Sequence, residues 1–171
     1  MKQAKWFDRS FNFDSEQNTF PSIIERLMGT PARLEEKLKS IPQGSLTLKL
    51  DNAWSIKENI GHLTDLEPLW QGRLEDIING ETELRPTDLA NRNTDLANHN
   101  DTSSEELLIS FRQIRAKTIL ALEKVDEEMV FKSALHPRLK TPTRTIDLFL
   151  FVAEHDDHHL ARITELAKLL A

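Results

Sequence analysis

Ser55-Ile56-Lys57-Glu58 opens a segment in which Ile56, Ile60, Leu63, Trp70, Leu74 and Ile77 return at steps of three and four. Such steps fall on one face only in an α-helix. The Ser-x-x-Glu start is a capping box: hydroxyl and carboxylate satisfy two backbone amides that a helix start leaves open. The same start recurs at Ser103 and Glu106, ahead of Leu107, Phe111, Ile114, Thr118 and Leu122. A further helix is predicted over 145–170, on Phe149, Val152, His159, Ile163 and Leu166. An earlier one begins near Phe20-Pro21 and carries Leu34, Leu38 and Ile41 as its stripe until Pro42-Gln43-Gly44. Within it, Gly29-Thr30-Pro31 predicts an interruption, with Thr30 capping a restart and Pro31 in the first helical position. Pro68 removes one ladder bond from the second helix and predicts a kink there. With only five glycines and few β-branched runs, the fold class is all-α, a four-helix bundle.

The connections are unequal. Residues 1–19 form an irregular arm whose Trp6, Phe7, Phe11 and Phe13 are expected to pack onto the bundle. Residues 45–52 alternate weakly and predict a short extended piece. Residues 81–101 are polar, a crossover of about 20 residues, long enough to let the second and third long helices run parallel. A second irregular connection covers 132–143. At 171 residues the chain reads as one domain, 1–171.

Composition narrows the chemistry. Lys and Arg number 22 against 28 Asp and Glu, a net charge of −6, which disfavours a nucleic-acid backbone as partner. Cysteine is absent, so disulfides, thiolate metal sites and a cysteine nucleophile are excluded. The first residues lack a signal-peptide core, and no apolar run reaches about 18 residues. The expectation is a cytoplasmic protein without a membrane segment.

Three of the six histidines lie in His155-Asp156-Asp157-His158-His159. His155 and His159, four apart, leave one helix face roughly 5–6 Å apart, a separation from which two imidazoles reach one metal ion. His158 points about 100° away. The stretch lacks the glutamate after the first histidine that an H-E-x-x-H site uses as a base. Two ligands are too few; His62, on the second helix beside Gly61, reads alone as a core or boundary histidine but joined to this pair is the candidate third ligand. Three neutral imidazoles on two facing helices form an open site that water or substrate completes.

Trp54-Ser55-Ile56-Lys57-Glu58-Asn59-Ile60-Gly61-His62-Leu63 and His155-Asp156-Asp157-His158-His159-Leu160-Ala161-Arg162-Ile163, with the run from Phe20 to Glu35, resemble the DinB-like family, which includes bacillithiol S-transferases. The resemblance implies an up-down-down-up bundle holding a divalent metal, Zn or Ni, on His62, His155 and His159. Family members of known chemistry are thiol-linked transferases or isomerases; others are described as hydrolases. The expected function is therefore a metal-dependent thiol S-transferase or hydrolase acting on a small molecule, with a low-molecular-weight thiol as a further cofactor in the first case. The alternative is a non-catalytic metal-binding or partner-binding bundle. A homodimer is a further expectation.

Around the ligands, Glu58, Asp65, Glu154, Asp156 and Asp157 are candidates to orient the imidazoles, or else line solvated helix faces. His158 is either a nearby acid or base or an interface residue, the latter preferred. Arg162 and Trp70 are placed at a substrate pocket by spacing. His99 and His136, in connections, are read as uninvolved.

Overall fold

The computed structural model describes residues 3–13, 18–51 and 53–170. Its helices are α1 (Phe20–Leu38), α2 (Ile56–Ile78), the short α3 (Arg92–Leu96), α4 (Ser104–Leu122) and α5 (Thr145–Leu169). Both capping boxes form: Ser55 Oγ accepts from the Glu58 amide at 3.2 Å while Glu58 returns to the Ser55 amide at 2.8 Å, and Ser103 and Glu106 repeat the exchange.

Cross-helix bonds give the directions. Along α1 and α5, Arg26 meets Glu154, Thr30 meets Asp156 and Lys37 meets Thr164, so the two run parallel. Along α2 and α4, Glu67 meets Arg115 and Gln71 meets Thr118, again parallel. Asn59 meets His159 while Trp70 meets Phe151, so α2 and α5 are antiparallel. The four long helices thus run up, down, down, up, with α1 and α2 each packed against both α4 and α5. The crossover from α2 to α4 contains α3 and a 3-10 turn at His99–Asp101. No helix among the described residues is long and apolar enough to cross a membrane.

Three expectations need correction. Gly29-Thr30-Pro31 does not break α1, which is continuous. Pro31 frees the Leu27 carbonyl, and the buried Arg115 guanidinium donates to it at 3.2 Å, so the missing ladder bond is replaced from α4. Residues 45–51 form no strand; a 3-10 turn at Gln43–Ser45 and bends carry the chain into α2, and residue 52, the end of the expected piece, lies outside the described residues. The 132–143 connection contains an antiparallel ribbon, β1 (Ser133–Leu135) and β2 (Pro142–Arg144). Leu135 exchanges backbone bonds with Thr82 and Leu84, tying that ribbon to the crossover. α2 passes through Pro68 as one helix.

The core has two apolar clusters. One gathers Leu27, Trp70, Ile119 and Phe149; the other gathers Leu34, Leu63, Phe111 and Leu160. Each fully buried side chain of this size contributes roughly 1.5–3 kcal/mol. Between the two levels, Thr30, Glu67, Arg115 and Asp156, each no more than 2 % exposed, form a polar layer. Arg115 donates to Glu67 at 2.6 and 2.8 Å and to Asp156 at 2.6 and 3.1 Å, and Thr118 donates to the other Glu67 oxygen. This layer fixes α5 at Asp156, beside His155. In the arm, Trp6, Phe11 and Phe13 pack on the first cluster while Phe7 stays exposed; residues 1, 2 and 14–17 of the expected arm lie outside the described residues.

Candidate metal centre

His62 from α2 and His155 and His159 from α5 meet as the two helices cross, all buried, with one nitrogen from each lying within 4.8 Å of the others. The Nε2 atoms of His155 and His159 are 3.2 Å apart. Two imidazoles bound tetrahedrally to one zinc would place their nitrogens roughly 3.3 Å apart, from Zn–N bonds of about 2.0–2.1 Å. Ring centroids of His62 stand 5.2 Å from His155 and 4.9 Å from His159.

The surroundings decide which nitrogens are free. Asn59, one helical turn before His62, donates its amide to the Ser55 carbonyl at 2.8 Å and to that of Trp54 at 3.3 Å. Its carbonyl oxygen is thereby turned to His159 Nδ1, 2.8 Å away, so that Nδ1 carries the proton and Nε2 the lone pair. Thr94, on α3, does the same for His62. Its hydroxyl donates to Asp65 at 2.7 Å, which leaves its oxygen to accept from His62 Nδ1 at 2.9 Å. Asp65 also accepts from His99 Nε2 at 2.9 Å. His155 Nδ1 is buried without a partner among the described residues, its ring in edge contact with Trp6 and Trp70.

Burial holds His62 down at about 4, partly offset by Asp65, and pushes His155 and His159 well below the ordinary histidine value, with His62 and His158 further opposing charge on both. All three are neutral at pH 7, the state in which imidazole binds a metal. The donor set is nitrogen only, which suits zinc, nickel, copper or iron among first-row ions.

The structure therefore brings His62, His155 and His159 together. Of the five carboxylates considered beside them, only Asp65 reaches the cluster, through Thr94. Glu58 is spent on the cap and on Lys49 at 2.6 Å, Asp156 on Arg115, Asp157 on Arg26 and Arg33, and Glu154 on Arg9 and Arg26. None is a freely solvated helix face.

The reading of His99 as uninvolved is corrected, since it holds Asp65. Gly61 makes room for it: a Cβ there would lie 2.2 Å from the His99 ring. His136 is corrected too, because it lines the same cavity as the cluster. Asn59 had a signal in the sequence, an amide at i−3 from His62 on the same face. Thr94 had none, lying in a polar connection.

A cavity of about 560 Å³ opens over the three histidines. Trp54 covers one side, its ring 4.5 Å from that of His62, anchored by its indole N–H on Asp95 at 2.8 Å. Trp70 and Arg162 line it, as their spacing suggested, and His158 stands in its wall beside Trp6.

Comparisons with known proteins agree with this architecture. YfiT from Bacillus subtilis, described as a probable metal-dependent hydrolase with an unusual four-helix bundle topology, superposes with a TM-score of 0.80 at 21% identity, over 94% of this chain and 93% of that one. No curated protein matches the sequence. The family model of the DinB superfamily matches residues 26–163, which takes in α2, α4, the crossover and all three histidines. The chain belongs to the DinB superfamily.

Proposed function

We propose that this protein is a divalent-metal enzyme whose centre is His62, His155 and His159 and whose substrate is a small molecule held in the cavity above them. The observation that carries the reading is the convergence of three neutral imidazoles, two of them locked with Nε2 bare by Asn59 and Thr94, at the wall of a ligand-sized cavity. The bare Nε2 of His159 faces Nε2 of His155 at 3.2 Å, a contact that requires a proton or a cation between the two nitrogens.

A divalent ion held there supplies Lewis-acid chemistry, lowering the pKa of a water or a thiol so that it reacts at neutral pH. The chain's own residues do the rest. Asn59 and the Thr94–Asp65–His99 chain keep the imidazoles aimed. Trp54, Trp70 and Phe151 shield the reacting atoms from bulk water. His158, half-buried in the cavity wall, is the group placed to exchange a proton with substrate.

Hydrolysis is the first reading, matching the description of YfiT. Thiol transfer is the second, and one observation favours it. The only carboxylate lining the cavity among the described residues is Asp88, whose oxygens accept from the Ala90 and Arg92 amides, so no free carboxylate base faces an attacking water. A thiol brought in as a co-substrate needs less such help, and the chain has no cysteine to compete with it.

The test is metal content by plasma mass spectrometry on untagged protein, with His62→Ala and His159→Ala beside it. Near-stoichiometric zinc or nickel, lost in both variants, is expected. Wild-type protein without metal after incubation with either ion would refute the centre. Ester substrates against a thiol plus an electrophile then separate the two reactions.

A further inference from the structure

Beyond the histidines the same cavity continues to a basic end that the metal centre does not use. Trp70 stands between the two, its ring 5.9 Å from His155 on one side and 5.6 Å from the Arg73 guanidinium on the other. Arg73 is 1 % exposed. Its Nε donates to the Arg85 carbonyl at 3.1 Å and one terminal nitrogen lies 3.2 Å from His136 Nε2, but the other, also buried, has no partner among the described residues. Arg138 likewise has a buried terminal nitrogen without a partner among the described residues, its guanidinium resting 5.3 Å over the Phe7 ring.

This end is short of acceptors. His136 Nδ1 faces the backbone amides of Arg138 and Leu139 at 3.1 and 3.3 Å, while its Nε2 faces Arg73. A neutral imidazole has one lone pair, so it cannot accept on both sides. The nearby acids are committed elsewhere: Asp76 binds Arg85 through the side chain at 2.7 Å and through the backbone amide at 2.7 Å, and Asp88 holds α3. Burial, partly offset by Asp76 and reinforced by Arg138, lowers Arg73 to about 10, still a cation at neutral pH. Among the described residues the lining carries Lys5, Arg73, Arg138 and Arg162 against the single carboxylate of Asp88, in a chain whose net charge is −6. A buried cation is costly unless an acid pairs with it, and among the described residues neither the buried Arg73 nor the half-buried Arg138 forms an ion pair.

We infer that Arg73 and Arg138 bind an anionic group of the substrate, a carboxylate or a phosphate, and thereby hold the rest of that molecule past Trp70 against His62, His155 and His159. A guanidinium fork matches either oxyanion in two-point fashion. The inference rests on the reading of the three histidines as the reacting centre, and it adds the class of molecule that centre acts upon: small anions.

The test is calorimetric titration of the purified protein at low ionic strength with inorganic phosphate and, separately, succinate. Wild type, His62→Ala, Arg138→Gln and Arg73→Gln are compared, with zinc content measured on each. At least one anion binds wild type, and which one identifies the oxyanion. Arg138→Gln, at a half-buried position, weakens it about 10- to 100-fold with zinc retained, and Arg73→Gln does the same if it folds. His62→Ala, which lacks the metal, still binds the anion. Failure of both anions to bind wild type, or Arg138→Gln binding as tightly as wild type, overturns the inference. So does loss of binding in His62→Ala alone, which would place the anion on the metal.

Discussion

Replacing Arg115 by methionine keeps much of its volume and deletes its charge. In the native protein this guanidinium, 2 % exposed, is bonded to Glu67 and Asp156, both fully buried, and to the Leu27 carbonyl that Pro31 leaves without a ladder partner. Removing one partner of a buried ionic group costs roughly 3–5 kcal/mol, because the remaining charge stays desolvated. The orphaned Leu27 carbonyl adds about 1 kcal/mol. Against a total stability of about 5–15 kcal/mol, the variant keeps a fold but with a much smaller margin.

The sign of the pH dependence follows from Glu67. Burial already pushes its carboxyl up, with Arg115 opposing the shift. Without Arg115 the folded-state value rises further above that of the unfolded chain. A group raised in the folded state stabilises fully below its unfolded value, and that contribution is lost as pH rises through the folded one. The deficit of Arg115→Met is therefore larger at pH 7 than at about pH 5, nearer the unfolded glutamate value. Urea unfolding followed by far-ultraviolet circular dichroism, on chelated samples of both proteins, measures it. A loss below about 1 kcal/mol at pH 7 would contradict the burial argument, and an equal deficit at both pH values would contradict the carboxylate account.

Thr94→Val and Asn59→Leu, which remove the groups orienting His62 and His159, each lower zinc affinity about 10- to 100-fold in a chelator competition; unchanged affinity would mean that the ring orientations are set by packing alone. His136, pushed down to about 4 first by burial and then by Arg73 and Arg138, binds its proton more readily in the unfolded chain. Its contribution is complete above pH 6.5 and is lost as pH falls towards about 4. His136→Gln therefore flattens the stability slope across that window, and an unaltered slope would show that His136 is not the group titrating.

Much of the frame was legible locally. The capping boxes at Ser55 and Ser103 name their own partners three residues on, and both formed. The His155–His159 spacing put two rings on one face whatever the rest of the chain did. Gly29-Thr30-Pro31 misled because the local rule, that proline strands the carbonyl four residues earlier, is correct. What the rule omits is a donor from another helix, and Arg115 supplied one. The acidic residues around α5 show the same limit. Asp156 and Asp157 are nearer to His155 in sequence than Asp65 is to His62, yet both point to arginines on other helices.

By itself, then, the sequence determined the four long helices, the pairing of His155 with His159 and the absence of thiol ligands, since these depend on residues within a turn of one another or on composition. Tertiary structure decided that Asn59 and Thr94 would orient the imidazoles, that His99 would hold Asp65, and that Arg73 and Arg138 would face one cavity in which Asp88 is the one carboxylate among the described residues. Those groups lie on segments separated by whole helices, and their meeting depends on how apolar faces pack, where no spacing rule reaches.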